Sequence, residues 1–226
     1  MTSCVVGLDL AGSPRRNTGF CVLTGATSTR LKVLHEDDEI LTQTMDARPS
    51  LVSIDAPLTL PRGRASLEAR GPPHLRECDR ELLRRRIPFF PLTLGPMRML
   101  TARGMRLAAE FTGRGMPVIE SYPGGAQDAL GMPRKHAGIE PLRAALKRYG
   151  MRGDVERPEI THDELDAVTC ALVGRLFVLG RAESIGDPGE GIMVLPRRLR
   201  TTPSTEGRPA RSPRRPPTAS ATRGES

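Results

Sequence analysis

At 226 residues the chain is long enough for one domain of ordinary size with a tail, and a core of that size buries roughly 70% of the surface the unfolded chain exposes. Neither disulfides nor a structural metal are needed merely to fold it. With Trp absent and aromatics at 3%, the core must rest on Leu, Val, Ile, Ala and Met. The net charge is +8, but residues 197–226 hold eight arginines against two glutamates, so the tail carries +6 of it. The high pI is therefore weak evidence that the folded part binds nucleic acid.

Cys4, Cys21, Cys78 and Cys170 are far apart and form no CxxC or zinc spacing. They are expected to be reduced core thiols of a cytoplasmic protein. The chain runs straight into a strand-like segment, and no signal peptide is expected. No apolar run approaches the ~20 residues that span a bilayer, so no membrane association is expected.

In chain order, residues 3–10 predict a buried strand in which Asp9 is the only charge. Residues 11–14, Ala-Gly-Ser-Pro, predict a turn. Strands follow at 18–24 and 31–35, and their short connections favour an antiparallel meander. A short helix is predicted over 36–45. Leu51 to Ile54 forms a strand that ends at Asp55. Residues 62–74, rich in Gly, Pro and Arg, predict a loop. Helices follow over 74–86 and about 97–111. Residues 117–119 start another strand, which reaches Glu120. Helices are predicted near 125–130 and 139–149.

The clearest helix runs over 162–179. Thr161 is its expected N-cap, Glu164 completes a capping box, and Gly180 suits its C-terminal cap. Leu165, Val168, Leu172, Leu176 and Leu179 follow helical spacing. Ile192 to Leu195 is a last short apolar piece. From Arg197 on, almost nothing is apolar, and a disordered basic tail is expected at 197–226 after a domain at 1–196.

Asp9, Asp55 and Glu120 thus sit in, or at the ends of, three candidate central strands. In parallel neighbours this gathers carboxylates at one sheet edge, where α/β proteins place their sites. Asp163 and Asp166 are three apart on one helical face, where like charges repel unless something shared binds between them. Hard Mg²⁺ or Mn²⁺ prefers such oxygen ligands. Each acid also has a structural reading. Asp9 and Asp55 suit turns, Asp163 suits a helix start, and Glu120 suits pairing with one of the many arginines.

Seven segments carry a resemblance in this order: Val-Gly-Leu-Asp-Leu-Ala-Gly-Ser (6–13), Ile-Asp-Ala-Pro-Leu (54–58), Cys-Asp-Arg-Glu-Leu (78–82), Val-Ile-Glu-Ser-Tyr-Pro-Gly (118–124), Gly-Met-Pro-Arg-Lys (131–135), His-Asp-Glu-Leu-Asp-Ala (162–167) and Ile-Gly-Asp-Pro-Gly-Glu-Gly (185–191). The chain resembles the domain-of-unknown-function 429 family, described as predicted nucleases of ribonuclease H-like fold. That resemblance implies an α/β fold with a mixed five-stranded sheet, its first three strands antiparallel, flanked by helices. An arginine-rich helical insertion at about 60–115 departs from the wider superfamily. RuvC-type resolvases look similar in layout, with an Asp in the first strand, an acid at the end of the fourth and Asp-x-x-Asp-Ala in a late helix. Asp9, Asp55, Asp163 and Asp166 match those places, and Glu120 is an additional acid.

The expected activity is metal-dependent phosphodiester hydrolysis of nucleic acid, DNA or RNA. Two metal ions about 4 Å apart would activate water and stabilise the leaving oxygen. Asp9, Asp55, Asp163 and Asp166 are the expected metal ligands, and Glu120 is a further candidate catalytic acid. Ser13, Arg80, Arg134, Lys135 and His162 are candidate substrate contacts. Arg76, Arg80, Arg84, Arg85 and Arg86 would line a phosphate track, without aromatics among them for base stacking. Two other functions stay open. The first turn also resembles the phosphate loop of sugar kinases and actin-like ATPases, although no Walker A sequence is present. A non-catalytic nucleic-acid-binding module driven by the tail is the other. The sequence assigns no oligomeric state.

Overall fold

The computed structural model describes residues 4–198. The arginine-rich tail beyond Arg198 lies outside the described residues. The chain opens with the expected meander, β1 (Cys4–Asp9), β2 (Thr18–Thr24) and β3 (Ser28–Leu34), all antiparallel. After α1 (Asp37–Ala47), β4 (Leu51–Asp55) returns parallel to β1. The insertion holds a long loop and two helices, α2 (Glu77–Arg84) and α3 (Gly95–Gly113). β5 (Val118–Ser121) then pairs parallel to β4. Next come α4 (Pro123–Ala129), α5 (Ile139–Arg148), the two-residue β6 (Arg152–Gly153) and α6 (His162–Val178). A hairpin of β7 (Ala182–Asp187) and β8 (Gly191–Pro196) closes the described chain.

The five expected strands are all present, in the expected senses, inside a larger sheet. Its eight strands run β6-β3-β2-β1-β4-β5-β8-β7. Of the three extra strands, β8 contains the apolar piece Ile192 to Leu195, and period and composition hide the other two. β6 has only two residues. β7 is a half-exposed edge strand, Ala-Glu-Ser-Ile-Gly-Asp, with no apolar run.

Strand alternation divides the core into two layers. Val5, Leu51 and Ile119 face α6, with α4 and α5 beside it. Val6, Leu8, Val52 and Ile54 face the other way, toward α1 and α3. A smaller third core, with Cys78, Leu82 and Ile185, lies under α2.

α6 is buried on nearly every side from Glu164 to Gly174. Its capping box forms as the sequence predicts. The Thr161 hydroxyl accepts from the Glu164 amide at 3.1 Å, and the Glu164 carboxylate accepts from the Thr161 amide at 2.9 Å. Leu179 falls just past the helix and is half exposed, so it does not join the apolar stripe. Each fully buried Leu or Val of α6 stabilises the layer by roughly 1.5–3 kcal/mol. The helix can lie this close because β1 and β2 present glycines to it. A Cβ at Gly7 would overlap the Ala167 carbonyl and the Ala171 amide, and one at Gly19 would overlap the Asp163 carbonyl.

Those neighbours are backbone and cannot rotate aside. Gly19→Ala is therefore expected to lower unfolding free energy by at least the ~1–3 kcal/mol of an overpacked core, read from denaturant midpoints. An unchanged midpoint would mean that α6 does not rest on β2 as described.

Candidate active site

β1 and β4 run parallel and in register, with Asp9 beside Asp55 at their C-terminal ends. Both side chains therefore project on the α6 face. α6 starts over Gly19, the residue paired with Asp9, so its first turns hang over this corner. Asp166, three residues beyond Asp163, is buried there. Gln127 of α4 donates to one Asp166 oxygen at 2.7 Å and fixes its orientation.

The three carboxylates sense one another. Burial, then the charges of Asp166 and Asp163, push Asp9 up to about 8, opposed by Lys135 and a hydrogen bond with Asp55. Burial, then the charges of Asp9 and Asp166, also raise Asp55 well above the ordinary range. Burial raises Asp166, against the Gln127 hydrogen bond and the Lys135 charge. Lys135 is thus a cation that acts on all three. No third side chain from the His, Cys, Asp and Glu set closes with two others into a ready ion cage among the described residues. The donor chemistry nevertheless fits a hard divalent cation, because the gathered groups are carboxylates whose charged forms are disfavoured by burial and then by one another's charge.

The turn after β1 does not need Asp9. The Ala11 amide donates to the Thr18 hydroxyl at 3.2 Å, and the buried Arg103 donates to the Ala11 carbonyl at 2.7 Å.

Glu120 is not brought into this set. In the β4–β5 register it pairs with Ile54, while Ser121 pairs with Asp55. One residue of offset turns its side chain to the opposite face. There it meets Arg76, which is 1% exposed and grips both Glu120 oxygens at 2.6 and 2.8 Å. The same guanidinium donates to both oxygens of Asp79, at 2.9 and 3.1 Å. Glu120 also accepts from the Leu58 amide at 2.8 Å, tying down the chain that leaves Asp55. The arginine pairing considered for Glu120 is the one found, and its place is that of a structural anchor.

Acids hidden in the sequence pattern pair with four of the five arginines of the expected phosphate track. Arg76 is buried with Glu120 and Asp79. Arg80 pairs with Glu77, Arg84 with Glu77 and Glu81, and Arg85 with Glu81 and Glu183. Arg80 lines neither cleft at the site.

The other expected contacts divide around two adjoining clefts. One, of about 770 Å³, is bounded in part by Asp55, Asp166, Gln127, Arg134 and Lys135. The other, of about 490 Å³, holds Asp9, Ser13, Arg16, Asn17, Lys135 and Asp163. Lys135 thus stands between them. Arg134 is held by Asp128 at 2.6 and 2.9 Å. His162 lines neither cleft, and its buried Nδ1 has no partner among the described residues. Its charge lowers Asp166 only as a lesser influence. Gln127 had no signal in the sequence, and Asp79 stood only within the resemblance segment 78–82, with no role assigned. A glutamine on a short helix and one acid among many on a charged helix look like surface residues until packing buries them.

A family model described as "protein of unknown function (DUF429)" matches residues 7–191, and the chain belongs to that family. No curated protein matches it. Among solved structures, RuvC of Thermus thermophilus in complex with a Holliday junction substrate is similar at 17% identity and a TM-score of 0.43. That likeness covers 78% of this chain and 96% of that one. A second Thermus thermophilus RuvC structure gives the same identity and coverage at a TM-score of 0.44.

Removing one partner of the buried triad leaves uncompensated charge. Arg76→Met is expected to cost about 3–5 kcal/mol of stability in equilibrium unfolding. A loss below about 1 kcal/mol, the range of exposed ion pairs, would contradict its place as an anchor.

Proposed function

We propose that this protein is a metal-dependent nuclease that hydrolyses phosphodiester bonds with Mg²⁺ or Mn²⁺ held by Asp9, Asp55 and Asp166, and with Asp163 as the outlying fourth carboxylate. The observation that carries this reading is the in-register pair Asp9–Asp55 faced by Asp166, three acids whose burial and repulsion all raise their pKa values. Folding would gain by replacing any of them with a neutral residue, so their presence together points to a positively charged ligand. A bound divalent cation supplies Lewis acidity and makes its coordinated water a nucleophile near neutral pH.

The chain's own groups take the remaining tasks. Asp9 and Asp55 present adjacent oxygens from rigid strand ends, and Gln127 holds Asp166 in a single orientation, as supporting partners of metal ligands do. Lys135, between the two clefts, is placed to meet a phosphate oxygen as a point charge. Ser13 and Arg16 in the smaller cleft offer further phosphate contacts. Glu120 takes no part in the chemistry and acts through the fold alone. The kinase-like reading has less support, because the first turn is committed to internal contacts. Its Ala11 amide and carbonyl are already partnered, and Gly12 packs close against the backbone of α3.

The test is cleavage of a panel of labelled DNA and RNA substrates with Mg²⁺ or Mn²⁺. Asp9→Asn and Asp166→Asn are expected to lose at least the ~10–100-fold that a metal site loses with one supporting partner. Glu120→Gln, measured on protein shown to be folded, should stay within a few-fold of wild type. Absence of any cleavage by the wild type across the panel would refute the nuclease reading. Equal losses in Glu120→Gln and Asp166→Asn would refute this division of roles.

A further inference from the structure

The chain has five phenylalanines, two tyrosines and no tryptophan. Phe20 and Phe111 are core residues, Tyr149 packs against the core, and Phe177 lies near the far end of α6. The other three, Phe89, Phe90 and Tyr122, line the larger cleft beside Asp55 and Asp166.

Their placement is firm. Phe89 is seated on the small core under α2. The Tyr122 hydroxyl donates to the Pro88 carbonyl at 2.6 Å, which ties the exit of β5 to the Pro-Phe-Phe-Pro segment. Pro88 and Pro91 bracket the two phenylalanines, and Pro91 restricts the backbone of Phe90. Phe90 is left 72% exposed at the cleft. Leaving that ring in water forgoes roughly 1.5–3 kcal/mol of burial.

The rest of the lining says what covers it. Arg134 and Lys135 share the cleft with the aromatics, so it joins flat apolar faces to cationic groups. Lys135 continues into the smaller polar cleft, and the carboxylates lie along that junction. An unpaired nucleotide has this same division, a flat base joined to an anionic phosphate. A base inside a duplex is stacked and out of reach of a ring set in a concave cleft, whereas an unpaired base offers its face. A cleft of about 770 Å³ is within the ordinary range for small-molecule sites and admits a nucleotide.

We propose that this cleft receives an unstacked nucleobase of a single-stranded nucleic acid, stacked on Phe90, while the adjoining phosphodiester lies at Asp9, Asp55 and Asp166. The proposal deepens the nuclease reading and rests on it for the position of the phosphodiester. The polar groups deep in the cleft are engaged elsewhere: Arg76 with Glu120 and Asp79, and the Gln127 amide nitrogen with Asp166. Recognition is therefore by stacking, and it tolerates any base.

The test measures fluorescence anisotropy of a labelled single-stranded DNA 12-mer and its duplex with the full chain. Ca²⁺ replaces Mg²⁺ to hold back cleavage. Wild type is compared with Phe90→Ala and Phe90→Trp, so that binding by the arginine-rich tail is common to all. Phe90→Ala is expected to weaken single-strand binding by about 5–150-fold, the effect of one stacked base. Duplex binding should stay within about twofold, and Phe90→Trp should restore the single-strand affinity. Equal effects of Phe90→Ala on both substrates, no effect on either, or no binding by the wild type would overturn the proposal. Cleavage with Mg²⁺ on the same proteins separates the two claims. Phe90-dependent binding without cleavage of any substrate sinks the nuclease reading and leaves the base cleft standing. Cleavage of duplex and single strand alike, unaffected by Phe90→Ala, keeps the nuclease and removes the base cleft.

Discussion

The backbone contact between α6 and the first two strands sets the position of everything at the site. Gly7 and Gly19 let a helix lie directly on β1 and β2, closer than any side chain would permit. Asp163 and Asp166 belong to the first turns of that helix, and Asp9 ends the strand beneath them. A helix lifted by one methyl layer would still be capped, but its acids would no longer sense Asp9. The capping box of Thr161 and Glu164 fixes where the helix begins, and so which residues reach the corner.

A second buried charge system lies on the opposite face of β5, and the Glu120 charge still reaches Asp55 as a lesser influence. Arg76 satisfies Glu120 and Asp79 at once, joining α2 to the sheet and holding the loop after Asp55 through the Leu58 amide. The two systems differ in how their charge is settled. Around Arg76 the two carboxylates share one guanidinium, which donates to all four of their oxygens. At Asp9, Asp55 and Asp166 the partners are an amide and a more distant ammonium, and burial raises the pKa of all three. A direct guanidinium partner suits a scaffold, and carboxylates with no protein cation in contact suit a centre that binds a positively charged ligand.

Much of this was legible in the sequence. The lone Asp9 in an apolar strand, the apolar run ending at Asp55, and Asp163 and Asp166 on one helical face led to one corner of the fold. The cap residues of α6 were readable one by one. Glu120 was not, because the cue used for it, an acid at the end of an apolar run, is blind to strand register. Only the pairing of Ser121 with Asp55 shows that Glu120 faces the other way. The arginines of α2 gave a false basic track, since Glu183 lies almost a hundred residues from Arg85 and meets it only through the β7–β8 hairpin. The aromatic cleft was equally hidden. Phe89 and Phe90 precede Tyr122 by more than thirty residues, and the cleft exists only once α2 and β5 are packed together.

The most direct measurement is anomalous diffraction from crystals of the protein grown with Mn²⁺. The account predicts a manganese peak bounded by the carboxylates of Asp9, Asp55 and Asp166, with Glu120 still bound to Arg76. A peak ligated by Glu120, or manganese absent from the Asp9–Asp55 corner at saturating concentration, would contradict it.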